Sequence, residues 1–188
     1  MFRLMRIFYG VDNLKKLKNP VVALGVFDGV HRAHIRILRS AVRQAAQIKG
    51  QSAVLTFWPH PQKEPSLYSL KHRLNLIAGQ GIDTAFVLDL NKGLSEFSAD
   101  KFVKTILVNK LGVRYVFVRE NFRFGKFAHG NAAVLKNLAD LYHFKLRAFG
   151  IIKINHKPVS SSYIRRLISS GNLKKAAYVL SRPVGILG

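Results

Sequence analysis

The chain has 188 residues, 48% of them hydrophobic, so it is long enough and apolar enough to fold around its own core rather than remain disordered. It contains no cysteine, which excludes disulfide bonds and cysteine-based zinc sites and fits a cytoplasmic location. No apolar run approaches the roughly 20 residues that cross a bilayer, and Met1 to Gly10 lacks the apolar core and cleavage site of a signal peptide.

The net charge of +22 results from 31 Lys and Arg against 9 Asp and Glu. Such an excess attracts polyanions, including nucleic acid, acidic lipid and phosphorylated small molecules. The basic residues are spread along the chain, for example in Lys15-Lys16, Arg165-Arg166 and Lys174-Lys175. We therefore interpret the charge chiefly as a basic solvated surface, with a nucleic-acid partner as the lesser alternative and small molecules as the expected partners.

Strand-like and helix-like segments alternate along the chain. In chain order we predict a strand at Val21–Phe27, a helix at His34–Lys49, a strand at Ser52–Trp58, a helix capped by Ser69 and ending at Ala78, a strand at Ile82–Leu88, a helix capped by Ser98 over Ala99–Lys110, a strand at Val113–Val118, a helix at Asn131–Tyr142, a strand at Phe144–Phe149, and helices at Ser160–Ser170 and Leu173–Leu180. This alternation predicts one α/β domain over residues 1–188, with a doubly wound, mainly parallel five-stranded sheet and helices on both faces.

Ligands of such sheets bind at the carboxyl ends of the strands, where the strand order reverses. Loops at Asp28–His31, Pro59–Pro61 and Asn121–Gly125 follow predicted strands, so we expect them to surround one crevice. A fourth loop, Val159–Ser162, would close over that crevice from the C-terminal side.

The stretch from Leu24 to Ile37 reads L-G-V-F-D-G-V-H-R-A-H-I-R-I and places a buried strand, a glycine turn and a helix start in succession. A helix N-terminus offers backbone N–H groups and partial positive charge to a phosphate. His31 and His34 lie three residues apart, so they would share one face of the first turn, hold phosphates as neutral or cationic donors, and stabilise a departing pyrophosphate. A metal site lacks a third ligand nearby, and a merely structural pair is the other alternative.

Two further motifs carry polar groups. Val159–Arg166, V-S-S-S-Y-I-R-R, opens a helix with three hydroxyls, and Arg165 would project back over Ser162, although ordinary capping by Ser160 or Ser162 explains part of the pattern. Arg119–Gly130, R-E-N-F-R-F-G-K-F-A-H-G, combines aromatic and basic residues that suit a planar phosphorylated ligand, and an RNA-binding loop would look similar. Neither a G-x-x-x-x-G-K-S/T nor a G-x-G-x-x-G pattern occurs, so a phosphate site here would be of the histidine type.

These motifs resemble a known family. Gly25–His34, G-V-F-D-G-V-H-R-A-H, resembles the G-x-F-D-G-x-H-x-G-H opening of the histidine-motif nucleotidyltransferases. F-W-P-H-P, R-E-N-F-R-F-G and V-S-S-S-Y-I-R are similar, in this order and spacing, to the adenylyltransferase module of the prokaryotic bifunctional FAD synthetases (riboflavin kinase/FMN adenylyltransferase). The likeness extends over about residues 20 to 183 and implies a Rossmann-like fold.

The resemblance implies transfer of AMP from ATP to FMN, which gives FAD and pyrophosphate, with Mg²⁺ held largely by substrate and water and no metal ligand assigned to the protein. It implies catalytic roles for His31, His34 and Arg165. The ATP-binding residues that it implies are Gly25, Val26, Phe27, Asp28, His31, His34, Ser161, Ser162 and Arg165. The FMN-binding residues that it implies are Asn121, Phe122, Arg123 and His60.

The chain departs from the family pattern at Ala33, where glycine is usual, at Ser162, where threonine is frequent, and at Trp58, where an acid is common. Family members continue past Arg182-Pro183 into a β-barrel riboflavin kinase module, so we do not expect this polypeptide to phosphorylate riboflavin. Two alternatives stay open: a related nucleotidyltransferase with another phosphorylated acceptor, and a catalytically degraded basic module that binds flavin nucleotide or RNA. The intact histidines argue against the second, and no oligomeric state is predicted.

Overall fold

Six parallel strands form the central sheet of the computed structural model, which describes residues 4–61, 65–90 and 93–185. In chain order the strands are β1 (Arg6–Tyr9), β2 (Val21–Leu24), β3 (Ser52–Phe57), β4 (Thr84–Leu88), β5 (Tyr115–Arg119) and β6 (Lys145–Phe149). Their order in the sheet is β1-β4-β3-β2-β5-β6, and every neighbouring pair is parallel. The predicted doubly wound α/β fold is therefore confirmed.

The prediction of five strands is wrong, because the sheet has β1 as a sixth strand. This strand has only four residues, lies at the edge and is largely exposed, and its apolar run, Ile7–Tyr9, is too short to predict a strand. A small antiparallel hairpin, β7 (Lys153–Ile154) with β8 (Lys157–Pro158), was also absent from the sequence prediction. Such two-residue strands leave almost no periodic signal.

Helices cover both faces of the sheet. Their bounds are α1 (Arg32–Gln47), α2 (Leu70–Ala78), α3 (Ala99–Phe102), α4 (Ala132–Leu141), α5 (Ser161–Ser169) and α6 (Leu173–Leu180). The chain continues from α3 in a π-helical stretch, Val103–Leu111, which ends at Gly112 with a positive φ of 64°. Ser69 and Ser98 cap helices as predicted, because each accepts a backbone N–H of the following turn, and Asn131 caps α4 in the same way.

Alternate residues of the buried strands supply two separate cores. Val21 and Ala23 pack with α1 and α2, whereas Val22 and Leu24 pack with α3, its π-helical continuation and α4. Strands covered on both faces read as continuous apolar runs, which is why β2 and β3 were recognisable from sequence. No helix in the described part of the chain is both long and apolar enough to span a bilayer.

A third apolar cluster joins the two C-terminal helices to the start of α1. Ala33 is 5% exposed and belongs to this cluster, together with Tyr163 and Ile164 of α5 and Val179 and Leu180 of α6. The C-terminal helices are thus fixed beside the turn that precedes α1.

Candidate active site

A cavity of about 570 Å³ opens at the carboxyl ends of β2 and β5, the point where the strand order reverses. β3 and β4 follow β2 on one side of this point, and β6 follows β5 on the other. Each of the four predicted loops contributes lining residues, among them Asp28, His60, Asn121 and Ser162. The volume lies within the range of small-molecule sites.

The turn between β2 and α1 has an unusual backbone. Phe27 and Val30 have positive φ values of 54° and 39°, and Gly29 lies between them at 80°. A β-branched residue with positive φ is a conformational outlier, and such outliers persist only where surrounding contacts enforce them. A Cβ on Gly29 would lie 2.6 Å from Leu67 Cδ1, so the Leu67 side chain would have to shift, and the positive φ also favours glycine here.

Asp28 connects this turn to two distant parts of the chain. Its carboxylate accepts a hydrogen bond from the Leu67 backbone N–H at 2.9 Å and pairs with Arg165 Nη2 at 3.0 Å. Its backbone carbonyl accepts a hydrogen bond from Ser161 Oγ at 2.7 Å. The Asp28 side chain is 2% exposed, so these contacts hold a buried charge.

The three serines at the start of α5 have different positions. Ser160 caps the helix, since its Oγ accepts the Tyr163 N–H at 3.2 Å, and Ser161 donates to the turn as described. Ser162 is exposed and lines the cavity. The capping alternative therefore explains the first serine of the motif and leaves the third facing the cavity.

Two arginines hold the carbonyl oxygens of the turn. Arg73 of α2 is fully buried and donates to the Val26 carbonyl at 2.9 Å and to the Phe57 carbonyl at 3.3 Å. Arg182 donates to the Val30 carbonyl at 2.9 Å and also to that of Gly29. The arginines thus bond to carbonyl groups at the beginning and at the end of the strained turn.

The two histidines are stacked. Their ring centroids are 3.7 Å apart with an interplanar angle of 16°, and Phe27 meets His34 edge-on at 5.2 Å. His31 is the N-cap of α1, because its Nδ1 accepts the His34 backbone N–H at 3.4 Å, and its ring is fully buried. A neutral His31 that accepts through Nδ1 carries its proton on Nε2, and Nε2 has no hydrogen-bond partner in the described structure.

Burial keeps both rings neutral. It lowers the pKa of His31 to about 3, and the nearby Arg119 guanidinium lowers it further in the same direction. The pKa of His34 also lies well below its usual value, because of burial first and then the charges of His31 and Arg119. Of the two protonation states expected from the sequence, the structure thus selects the neutral one.

The loop after β5 contributes aromatic side chains to the cavity. Phe122 and Phe124 stack with centroids 5.6 Å apart, and Phe124 also contacts Phe102 at 5.7 Å. Phe124 and Gly130 exchange two backbone hydrogen bonds, which close the loop into a ring. At the mouth lies Phe127, whose side chain is 78% exposed and whose φ is 54°. The cavity therefore offers both polar groups and aromatic side chains.

The structure brings nearly all the predicted site residues to this cavity. Those that line it are Gly25, Val26, Phe27, Asp28, His34, His60, Asn121, Phe122, Arg123, Ser161, Ser162 and Arg165. His31 lies beneath His34 instead, so its predicted contact with phosphate remains a prediction. Ala33 directs its methyl group into the C-terminal cluster, away from the cavity, which accounts for the tolerance of a side chain where glycine was expected.

Sequence reasoning missed three arginines near the histidines: Arg73, Arg119 as a lining residue, and Arg182. Arg73 had left a signal, since it occupies the apolar stripe of α2 at the spacing of Leu70, Leu74 and Ile77. A cation in an apolar stripe predicts a buried functional or structural charge. Burial lowers the pKa of both Arg73 and Arg119.

Comparison with curated proteins gives consistent matches along almost the whole chain. A bifunctional riboflavin kinase/FMN adenylyltransferase of Buchnera aphidicola (from Schizaphis graminum) is 30% identical over 98% of this chain and 62% of its own length. Proteins of the same name from Pseudomonas fluorescens and Bacillus subtilis are 30% and 31% identical, over 98% and 89% of this chain and 61% and 55% of theirs. The chain thus spans about three fifths of the length of the curated relatives it matches.

A crystal structure from Streptococcus pneumoniae, described as a macrolide-efflux protein, superimposes with a TM-score of 0.84 over 96% of this chain and 61% of the other. At 22% identity this likeness shows the fold alone. The family model described as FAD synthetase matches residues 13–163, a range that contains the strained turn, both histidines and the aromatic loop. The chain therefore belongs to the FAD synthetase family.

Proposed function

We propose that this chain transfers the adenylyl group of ATP to FMN and releases pyrophosphate, forming FAD. The observation that carries the proposal is the neutral, stacked His31–His34 pair at the start of α1, with His34 lining a cavity that is also lined by aromatic side chains. The relatives' name lists two activities, and the family model that matches this chain is the FAD synthetase one. We therefore assign the adenylyl transfer, and not riboflavin phosphorylation, to these residues.

We assign the triphosphate of ATP to the part of the cavity that the starts of α1 and α5 line. The first turn of α1 offers backbone N–H groups and partial positive charge, and the start of α5 offers a second helix N-terminus with the Ser162 hydroxyl. Arg119 and Arg165 line the same space and supply positive charge. Neutral histidines act here as hydrogen-bond donors, and bound phosphate anions would raise their pKa values.

We assign the flavin to the aromatic residues of the loop after β5. Phe122 and Phe127 provide faces for the isoalloxazine ring, and Asn121 and Arg123 lie in the same loop to receive the phosphate of FMN. An oxygen of that phosphate would attack the α-phosphorus of ATP, the bond between the α-phosphorus and the bridging oxygen would break, and pyrophosphate would leave with the electron pair. The attacking oxygen is already anionic, so no base is needed to activate it. The residues that line the cavity are needed to align the two substrates and to stabilise charge on the leaving pyrophosphate.

We expect Mg²⁺ to arrive bound to ATP. Asp28 is the sole carboxylate among the described residues that line the cavity, and its oxygens are already paired with Arg165 and the Leu67 N–H. Mg²⁺ prefers substrate phosphates and water to an all-protein cage, so the lining fits an ion bridged by phosphates. We therefore treat Mg²⁺ as part of the nucleotide substrate.

Product analysis tests the proposal. The purified chain is incubated with ATP, Mg²⁺ and FMN, with riboflavin and other phosphorylated acceptors, and with CTP in place of ATP. We expect FAD and pyrophosphate in equal amounts from ATP and FMN and no FMN from riboflavin. Pyrophosphate release with another acceptor, and none with FMN, would overturn the assignment of the substrate.

A histidine variant tests the site itself. His34→Asn should lower kcat by about 10²–10³. His143→Asn is the matched control, because His143 is exposed on the loop after α4 and its φ of 58° suits asparagine. Equal activity of the two variants would remove the histidine pair from the mechanism.

A further inference from the structure

The outer face of α1 carries a row of arginines that the cavity does not use. Arg32, Arg36, Arg39 and Arg43 follow one another at intervals of four, three and four residues. At 3.6 residues per turn they fall within about 60° of one another around the helix. Arg36, Arg39 and Arg43 are exposed. The row lies opposite the side of α1 that packs on the sheet.

Strand β6 extends this basic surface at the edge of the sheet. Lys145 and Arg147 are exposed. Successive side chains of a strand point to opposite faces of a sheet, so these two residues share one face, and it is the face that α1 covers. The guanidinium carbons of Arg36 and Arg147 lie 5.8 and 5.0 Å from the centre of the same Phe149 ring. We call this surface, made of Arg36, Arg39, Arg43, Lys145 and Arg147, the α1–β6 basic face.

Among the residues that the structure describes, no ion pair joins a cation of this face to a carboxylate. Neither α1 nor β6 contains an aspartate or a glutamate. Within the described residues, Arg39 bonds to the Gln80 amide oxygen at 3.0 Å and Arg43 to the Ser40 hydroxyl at 3.3 Å, both of them uncharged partners. Five cations are thus presented together to solvent.

We propose that the α1–β6 basic face binds the phosphodiester backbone of a nucleic acid. Guanidinium groups match phosphate oxygens in pairs, and regularly spaced cations match a regularly charged polymer. From Arg36 to Arg43 the helix rises about 10 Å, a distance over which duplex DNA presents about six phosphate charges. The even spread of basic residues in the sequence concealed this face, because it is assembled from a helix and a strand that are far apart in the chain.

The composition of the face favours a nucleic acid over a membrane or a peptide. Large exposed apolar side chains occur elsewhere in the described structure, at Leu141 and Leu173 for example, and none lies on α1 or β6. Tyr178 of α6 is the exposed aromatic residue nearest the row, and its ring is covered by Arg32 at 4.3 Å. Peripheral membrane surfaces insert apolar side chains, and peptide sites gain most of their affinity from buried anchors. Backbone phosphates, in contrast, bind to charge alone.

The test compares variants with equal changes in charge. Arg36→Gln, Arg39→Gln and Arg43→Gln are combined in one protein, and Lys15→Gln, Lys16→Gln and Lys104→Gln in a control. The control lysines are exposed, and they lie toward the other face of the sheet: Lys15 over Phe8, Lys16 beside Gly112 and Lys104 on the π-helical stretch. Fluorescence anisotropy measures binding of labelled single-stranded RNA, duplex RNA and duplex DNA over a range of salt concentrations, and co-sedimentation measures binding to vesicles containing phosphatidylserine.

We expect the wild type and the control to bind, with log K falling as log salt rises. The arginine variant should bind at least about tenfold more weakly at low salt, and its salt slope should be smaller by about one for each residue removed. Equal losses in the two variants would show diffuse charge and overturn the proposal. So would failure of the wild type to bind any nucleic acid, or binding confined to vesicles containing phosphatidylserine.

Circular dichroism and adenylyl transfer are measured on the same preparations. None of the substituted residues lines the cavity, so both variants should stay folded and keep whatever activity the wild type has. The binding result therefore stands independently of the proposed enzymatic function.

Discussion

Arg165 Nη2 lies 3.0 Å from Oδ2 of Asp28, and the two residues are 137 positions apart in the chain. The two side chains differ in their exposure to solvent: that of Asp28 is 2% exposed and that of Arg165 is 20% exposed. The buried partner depends on the other for its charge, whereas Arg165 keeps some access to water. This asymmetry has a measurable consequence.

Arg165→Met should destabilise the protein by about 3 kcal/mol, because it leaves a buried carboxylate without its cation. Asp28→Asn should cost only about 1 kcal/mol, since the amide oxygen still accepts the Leu67 N–H and Arg165 can turn toward solvent. Urea unfolding of both single variants and of the double variant measures the coupling. Additive effects would show that the ion pair contributes nothing.

Stability should fall as the pH drops from about 6.5 toward 3. In the folded protein His31 titrates near 3, below its value in the unfolded chain, so the unfolded chain binds more protons in this range and acid favours it. Each neutral histidine of the pair contributes a slope of about 1.4 kcal/mol per pH unit.

His31→Asn provides the comparison for this slope. Asparagine keeps a capping oxygen for the N–H of His34 and removes one titrating ring. Unfolding free energies measured from pH 4 to 7.5 should therefore show a shallower dependence in the variant. An unchanged slope would mean that His31 does not titrate as its burial demands.

Phe127→Ala should raise KM for FMN about fivefold and leave KM for ATP unchanged, because a stacking contact is worth about 1 kcal/mol. The ring is 78% exposed, so the free energy of unfolding should not change by more than about 0.5 kcal/mol. Leu141→Ala, at an exposed position on α4 outside the cavity, serves as the control. Equal KM values for FMN in the variant and the wild type would exclude Phe127 from the flavin site.

Gly29→Ala should destabilise the protein more than Gly171→Ala. Both glycines have positive φ, 80° and 71°, so both variants pay the cost of a left-handed conformation. A Cβ at position 171 has no heavy atom within 4 Å, whereas one at position 29 meets Leu67. The difference, measured by thermal or urea unfolding, should be about 1 kcal/mol or more. Equal destabilisation would show that the positive φ alone, and not the contact with Leu67, disfavours alanine at position 29.

Local chemistry explains which features of the fold the sequence predicted. The predicted caps Ser69 and Ser98 act within one helical turn, so the residues that they bond are fixed by the sequence nearby. The buried strands β2 and β3 are apolar because both of their faces are covered. The edge strand β1 meets only one neighbouring strand and left no such pattern.

The candidate site was less predictable, because its details depend on contacts between distant segments. The motif identified His31 and His34, but only the packing of α1 shows that His31 is buried under His34. Burial, in turn, sets the neutral state of both rings, which no local pattern specifies. Arg182 likewise gains its place only when the C-terminal helices pack beside the turn.

The bond from Arg182 to the Val30 carbonyl joins residues separated by 152 positions. During synthesis on the ribosome, the strained turn emerges early, while the arginine that secures its carbonyls is among the last described residues to be made. Long-range contacts of this kind form late in folding, because the intervening chain must first be ordered. The nascent protein should therefore gain its sheet before the turn ahead of α1 is secured, and a ribosome-stalled chain ending before residue 182 should bind ATP, the proposed substrate, poorly even when its strands have already paired.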